Sequence, residues 1–358
     1  IRWGAVLCFA CVYGVANAAP FGYISNSEDG TVSVIDLATD AVVKTIAVGD
    51  RPLSVAVTRD GSKVYVTDLH DNSITMIDGQ NQTVLAKKSV DMTPMTVAVN
   101  AAQSRVYVVG NNGANRIKDR LFSVMVLDAN TLEPLAQIPL MGKKDAIYMA
   151  VSPDDAHVWV SIGEYEVVVI DAASNTVSQE INVQAGGLSP LVFGANPHMA
   201  YVGGRSNLIT VDTSSNPPKL QKIHMMAGGD TDGLALNAAG DRAYVAKDGV
   251  GLEIYDLAHG KRLASVKTGK HPGGVAVHPD GSRIYVVNPV ENMVEVVDAK
   301  TFTVVGNIPV GKHPIVFGNF IQPTAIHGMN WMEVAKFSVL LLLGAFLLLV
   351  ILKYFRSR

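Results

Sequence analysis

The chain has no cysteine beyond Cys11; its two cysteines, Cys8 and Cys11, lie in the N-terminal apolar stretch. Most of the protein therefore has neither a disulfide nor a thiolate metal site. The spacing Cys8-Phe9-Ala10-Cys11 is followed by Val12 rather than His, which excludes c-type haem attachment. Charge is scarce as well: 17% of residues are charged and the formal net charge is −3. That balance provides no basic field for nucleic acid. Tryptophan occurs at only three positions, and Trp159 alone lies away from the ends. A quinoprotein slot with stacking indoles is thereby disfavoured. Gly-x-Ser-x-Gly, His-Glu-x-x-His and phosphate-binding glycine loops are all missing.

What is present is repetition. A short aromatic–β-branched strand recurs as Tyr23-Ile24-Ser25, Tyr65-Val66-Thr67, Tyr107-Val108-Val109, Trp159-Val160-Ser161, Tyr201-Val202-Gly203, Tyr244-Val245-Ala246 and Tyr285-Val286-Val287. Successive spacings are 42, 42, 52, 42, 43 and 41 residues. Several short strands per unit at a fixed period of about 42 residues predict an all-β, seven-bladed β-propeller. In the first unit Tyr23–Asn26 reads as a strand and Thr31–Asp36 alternates as a half-buried one. Val42–Val48 follows, then the loop Gly49-Asp50-Arg51-Pro52 and the apolar strand Ser54–Val57. Small residues recur in that last strand: Ala56, Ala98, Ala150, Gly194, Ala235, Ala276 and Gly318. They suit the crowded centre of a ring.

Tyr65-Val66-Thr67, the run Val-Ser-Val-Ile-Asp at 32–36, Val-Gly-x-x-Pro at 48–52 and Pro279-Asp280-Gly281 resemble the YVTN family of propeller repeats. The resemblance covers residues 21–320. It implies the propeller fold and leaves activity open, because one frame hosts unrelated functions. Family members include surface-layer proteins, periplasmic accessory proteins and domains attached to quinoprotein or haem enzymes.

Strand order predicts how the ring closes. The chain enters on a second strand at Tyr23 and leaves on an inner strand at Ile315–Phe320. The last blade must then combine both ends of the propeller, 21–322, which removes both free edges. Both exits should leave one face, and the Gly-x-x-Pro loops should lie on the other.

Both ends read as membrane signals. Residues 1–20 form a signal peptide or a retained hydrophobic segment, with Ala16-Asn17-Ala18 as a cleavage site. Residues 323–333 form a linker, 334–355 a transmembrane helix and 356–358 a cytoplasmic tail. Phe337 to Leu352 carries no charge and as a helix spans roughly 24 Å, against about 30 Å for a bilayer core. Trp331 and Lys353 suit the interfaces, and Gly344 would let another helix approach. The basic tail places the C-terminus in the cytoplasm and the propeller across the inner membrane, in the periplasm or outside.

Aligning the loops before the inner strands gives one residue per blade at the channel mouth: Arg51, Thr93, Asp145, Ser189, Asp230, His271 and His313. His271, His313 and Asp230 could hold a divalent metal, while two His with Arg51 could hold an anion. The alternative is that these residues only solvate the mouth. The third repeat carries ten extra residues, 111–120, including Arg116, Lys118 and Arg120. A long cationic loop on a rigid frame is a candidate for partner docking, together with Arg51, or a tolerated surface insertion. His327, Met329 and Met332 offer soft copper ligands or packing groups. No cofactor is expected. The leading expectation is a non-enzymatic scaffold or accessory subunit, held on the bilayer and offered to subunits of a membrane complex, including a respiratory one, or to a soluble periplasmic protein. The alternative is a metal- or anion-binding, lactonase-like or quinoprotein-associated enzyme domain at the channel mouth. Nucleic acid is not an expected partner.

Overall fold

The computed structural model describes residues 20–322, apart from 115–118, 144, 164, 188–189, 195, 216 and 226–227. The expected signal segment, linker, transmembrane helix and tail, with Trp331, Phe337, Gly344, Leu352 and Lys353, lie outside the described residues, as do His327, Met329 and Met332. Among the described residues no helix is long and apolar enough to cross a membrane.

Among the described residues twenty-seven strands form seven antiparallel sheets. Blade 1 runs inner to outer as Pro52–Val57, Lys63–Asp68, Ser73–Asp78 and Thr83–Ser89. Blades 2 to 6 follow at 93–139, 146–182, 191–224, 231–266 and 275–309. Blade 7 holds Phe21–Asn26, Thr31–Asp36 and Ala41–Ala47, and its inner position is filled by the C-terminal segment 314–322. The seven-bladed expectation is met.

That closing segment bonds on both sides. The Tyr23 amide donates to Phe320 O at 2.8 Å and the Ile315 amide to Ser25 O at 3.0 Å. Across the other side, the amides of Val55 and Val57 donate to Phe317 O and Asn319 O. Gly318 makes this fit possible: its φ is +96°, and a Cβ there would lie 2.6 Å from Val55 O. The two exits are adjacent, since Gln322 N donates to Phe21 O at 2.8 Å and Gln322 Nε2 to Gly61 O at 2.7 Å. Both therefore leave the same face, beside the turns that follow the inner strands; this face is called proximal and the opposite one distal.

The aromatic marker sits at the blade centre. Tyr65, Tyr107, Trp159, Tyr244 and Tyr285 face Ala56, Ala98, Ala150, Ala235 and Ala276 across the first strand pair. The small inner residues thus make room for rings. Blade 4 departs from the pattern: Val192, not Gly194, faces Tyr201. The buried phenols also tie blades together. Tyr23 Oη donates to Gly79 O, Tyr65 Oη to Ala129 O and Tyr285 Oη to Asp40 Oδ1, in each case on the next blade. Arg105 Nη1 does the same to Ala172 O. Apolar side chains such as Val32, Val64, Val158 and Ile284 are fully buried between the sheets, each worth roughly 1.5–3 kcal/mol.

Candidate functional site

The distal face collects the loops entering the inner strands and the turns between the second and third strands. Its loop motif has a packing cause. A Cβ on Gly49, Gly269 or Gly311 would lie 2.5–2.8 Å from side-chain atoms of Asp68, Asn288 or Asn26, the residues that end each second strand. Glycine is required there by close approach. Further along the loop the backbone turns left-handed at Arg51, Asp145 and His313, with φ of +63°, +55° and +49°.

The mouth residues are paired locally. Asp230 accepts from Arg205 Nε at 3.0 Å. His271 Nδ1 meets Asp248 Oδ1 at 2.6 Å. The His313 amide donates to Asn292 Oδ1 at 2.7 Å, and Arg51 Nη1 lies 3.4 Å from His70 Nε2. Ser189 lies outside the described residues. Among the described residues, no group of three or more His, Cys, Asp or Glu side chains is arranged to hold a metal ion.

Deeper in the channel the geometry becomes unusual. Tyr148 of blade 3 packs edge-on against Phe317 of blade 7, with ring centroids 5.0 Å apart. Asp232 of blade 5 and Asp230 bear electrostatically on the Tyr148 phenol, whose pKa burial raises well above its usual value. Burial, then the charges of Asp248 and Asp230, push Asp232 up to about 6. Lys247 is fully buried and its Nζ donates to the carbonyls of Arg205 and Gly229. Desolvation lowers its pKa. Sequence reasoning passes over Tyr148, Asp232, Lys247 and Phe317. A signal exists: Asp232 and Gly273 interrupt a column otherwise filled by Leu53, Met95, Ile147, Leu191 and Ile315, and Lys247 occupies the place of Asn26, Asp68 and Asn288.

The distal rim of blades 2 and 3 has another character. The insertion leaves and re-enters the blade at the paired residues Asn111 and Phe122, where the Asn112 amide donates to Leu121 O at 3.0 Å. Arg120 Nε donates to Ala114 O; Arg116 and Lys118 lie outside the described residues. Three successive distal loops expose large apolar side chains: Leu121 at 69%, Met141 at 81% and Tyr165 at 54%. Beside Met141 a groove of about 330 Å³ runs between the blades, lined by Ile138, Leu140, Val168 and Val177 among others.

Solved structures share this architecture. Hydrazine synthase from Kuenenia stuttgartiensis aligns with a TM-score of 0.70 at 20% identity, over 78% of this chain and 92% of that one. A functionally unknown protein from Desulfotomaculum acetoxidans gives 0.70 at 16% identity, over 84% and 100%. The β-propeller domain of Cps50 (Swd1) from Myceliophteria thermophila gives 0.63 at 14%, over 77% and 93%. At such identities the likeness is one of fold. No curated protein matches the chain. The family model for YNCE-like β-propellers matches residues 4–321, and the chain belongs to that family.

Proposed function

We propose that the protein is a non-enzymatic docking platform, tethered to the inner membrane with its distal face turned away from the lipid. The observation that carries this reading is the apolar rim of Leu121, Met141 and Tyr165 beside the groove of blades 2 and 3. Exposed apolar groups clustered on neighbouring loops mark interaction surfaces. The tether rests on the uncharged run Phe337–Leu352 and the basic tail after it. Both propeller ends leave the proximal face, which leaves the rim free for a partner subunit of a membrane complex or a soluble periplasmic protein. The fold likeness to hydrazine synthase is compatible with a redox assembly and supplies no residue for one.

A photo-crosslinking residue placed at Met141 in native membranes tests the reading. Its control is the same residue at Val290, an exposed position on the distal turn of blade 6. Capture of one defined protein from Met141 alone is expected, with loss of co-purification in a Leu121→Asp, Met141→Glu variant of unchanged thermal stability. Equal capture at both sites, or none, would reject it. The second reading, a metal- or anion-binding enzyme at the mouth, draws on Asp230 and His271, which both act on Asp232. Stoichiometric metal in purified protein, lost when His271 and His313 become Ala, would favour it instead.

A further inference from the structure

Blades 1, 3 and 6 each carry two carboxylates in the same distal notch, where the loop from the preceding blade passes the second and third strands. In blade 1 the acids are Asp68 and Asp71. Lys87 of the outer strand lies 2.6 Å from Asp71 Oδ2 and 4.0 Å from Asp68 Oδ2, and its Nζ donates to Val48 O at 2.9 Å. In blade 3 the acids are Glu166 and Glu180, and Lys143 of the loop meets each at 2.7 Å. In both blades the protein sets one ammonium of its own against two acids.

In blade 6 the acids are Glu291 and Glu295. Asn288 stands in the place of Asp68, Glu291 in that of Asp71 and Glu295 in that of Thr75. Across the outer strand pair Thr75 faces Lys87, whereas Glu295 faces Asn307. Nearby cations do not make up for the lysine. Lys270 approaches with its amide, 3.5 Å from Glu291 Oε1, and its side chain is exposed, as is that of Lys267. His271 is engaged by Asp248. Among the described residues no Lys, Arg or His side chain pairs with Glu291 or Glu295. Two carboxylates are thus set against no cation of the protein's own.

The buried oxygens show the same deficit. Asn288 is 0% exposed. Its Nδ2 donates to Glu295 Oε2 at 2.6 Å, and the Gly269 amide donates to that oxygen at 2.9 Å. Asn288 Oδ1 and Glu291 Oε2 are buried and have no hydrogen-bond partner among the described residues. They converge on one point, 2.7 and 2.6 Å from the place a Cβ on Gly269 would take. A carboxylate oxygen and an amide oxygen buried together without a donor are costly, and a cation between them removes the cost. A lysine from outside would have to bring its alkyl stem to these buried atoms; a bare ion would not. The donors are all oxygen, and two are carboxylates, which suits a hard divalent ion bound at about 2.3–2.6 Å.

We infer that the distal notch of blade 6 binds a divalent cation of the calcium class, with the carboxylates of Glu291 and Glu295 and the amide oxygen of Asn288 as its ligands. The ion ties the loop at Gly269 to its blade as Lys87 ties the loop at Gly49 to blade 1. The site is separate from the rim of blades 2 and 3 and stands or falls independently of it.

The test is calorimetric titration of the chelator-treated full chain with calcium chloride. Saturable binding is expected, with a melting temperature that rises with calcium concentration. Glu291→Gln and Glu295→Gln should each weaken binding about tenfold or more, as loss of a charged ligand predicts. Glu28→Gln, at an exposed position on the distal turn of blade 7, should leave it unchanged. Asn307→Lys rebuilds the arrangement of blade 1. It should abolish the calcium response and, without calcium, melt no lower than the parent. Position 307 is exposed, so this variant carries the test should a glutamate variant not fold. Absence of saturable binding, an equal response to sodium chloride at matched ionic strength, or unchanged affinity in Glu291→Gln or Asn307→Lys would overturn the inference. So would displacement of calcium by an equal concentration of n-butylammonium, which would make the notch a site for an ammonium group.

Discussion

Asp68 shows how one side chain sets a pH dependence. It is fully buried, accepts from Ser73 and Thr75, and leaves Oδ1 without a partner among the described residues. Burial raises it from 3.8 to about 6, against those hydrogen bonds and the Lys87 ammonium. A carboxyl with a raised folded pKa binds its proton more tightly when folded. Its contribution is therefore fully present below about pH 4 and lost as pH rises through about 6. A rise of that size corresponds to roughly 3 kcal/mol at most. Asn26 and Asn288 occupy the same place in other blades without a charge. Asp68→Asn is expected to raise stability at neutral pH by about 1–2 kcal/mol, with the gain vanishing in acid. Urea unfolding of both proteins between about pH 4 and 8 would check it. The column of second-strand ends is readable in the sequence. Its energetic meaning is not, because only packing shows that Gly49 closes over Asp68.

At the scale of the element, the aromatic strand does two jobs in the blades of Tyr65 and Tyr285. The ring fills the blade beside an alanine, and the hydroxyl reaches the next blade. Tyr65→Phe keeps the first and removes the second, leaving Ala129 O without its 2.6 Å donor. A loss of about 1–2 kcal/mol is expected in equilibrium unfolding. Gly318→Ala should cost more, about 2–4 kcal/mol, since it combines a left-handed φ with contact against Val55 O. The aromatic period is legible because each blade repeats the same local strand grammar. The staple between blades is not, because its acceptors are turn carbonyls 56 and 64 residues away for Tyr23 and Tyr65, and the Asp40 carboxylate 245 residues away for Tyr285. The basic residue two places before the ring, as in Lys63, Arg105 and Arg283, joins the same staple and is equally hidden.

For the whole molecule, closure is the decisive feature. Segment 314–322 seals two edges at once, one on Phe21–Asn26 and one on Pro52–Val57. Removing residues beyond His313 should open the ring and expose both edges. Loss of a single cooperative melt and gain of aggregation, read by calorimetry and light scattering, are the expected results. A circular permutant that joins Gln322 to Phe21 and opens a distal turn of blade 4 should fold, because those ends already touch. The adjacency of the exits follows from strand order alone. The rim of blades 2 and 3 shows in the sequence only as a cationic insertion; the exposure of Leu121, Met141 and Tyr165 depends on which loops become neighbours.

The order of residues determined the number of blades, the strand that closes the ring and the face from which the ends emerge. Those properties follow from a repeated local pattern and its phase, which a linear chain records directly. Only the tertiary structure decided what meets on the axis. Tyr148 lies 169 residues from Phe317 along the chain, and their rings meet with centroids 5.0 Å apart. Such encounters depend on closure of the ring, which brings non-adjacent blades to one axis, and no period in the sequence encodes them.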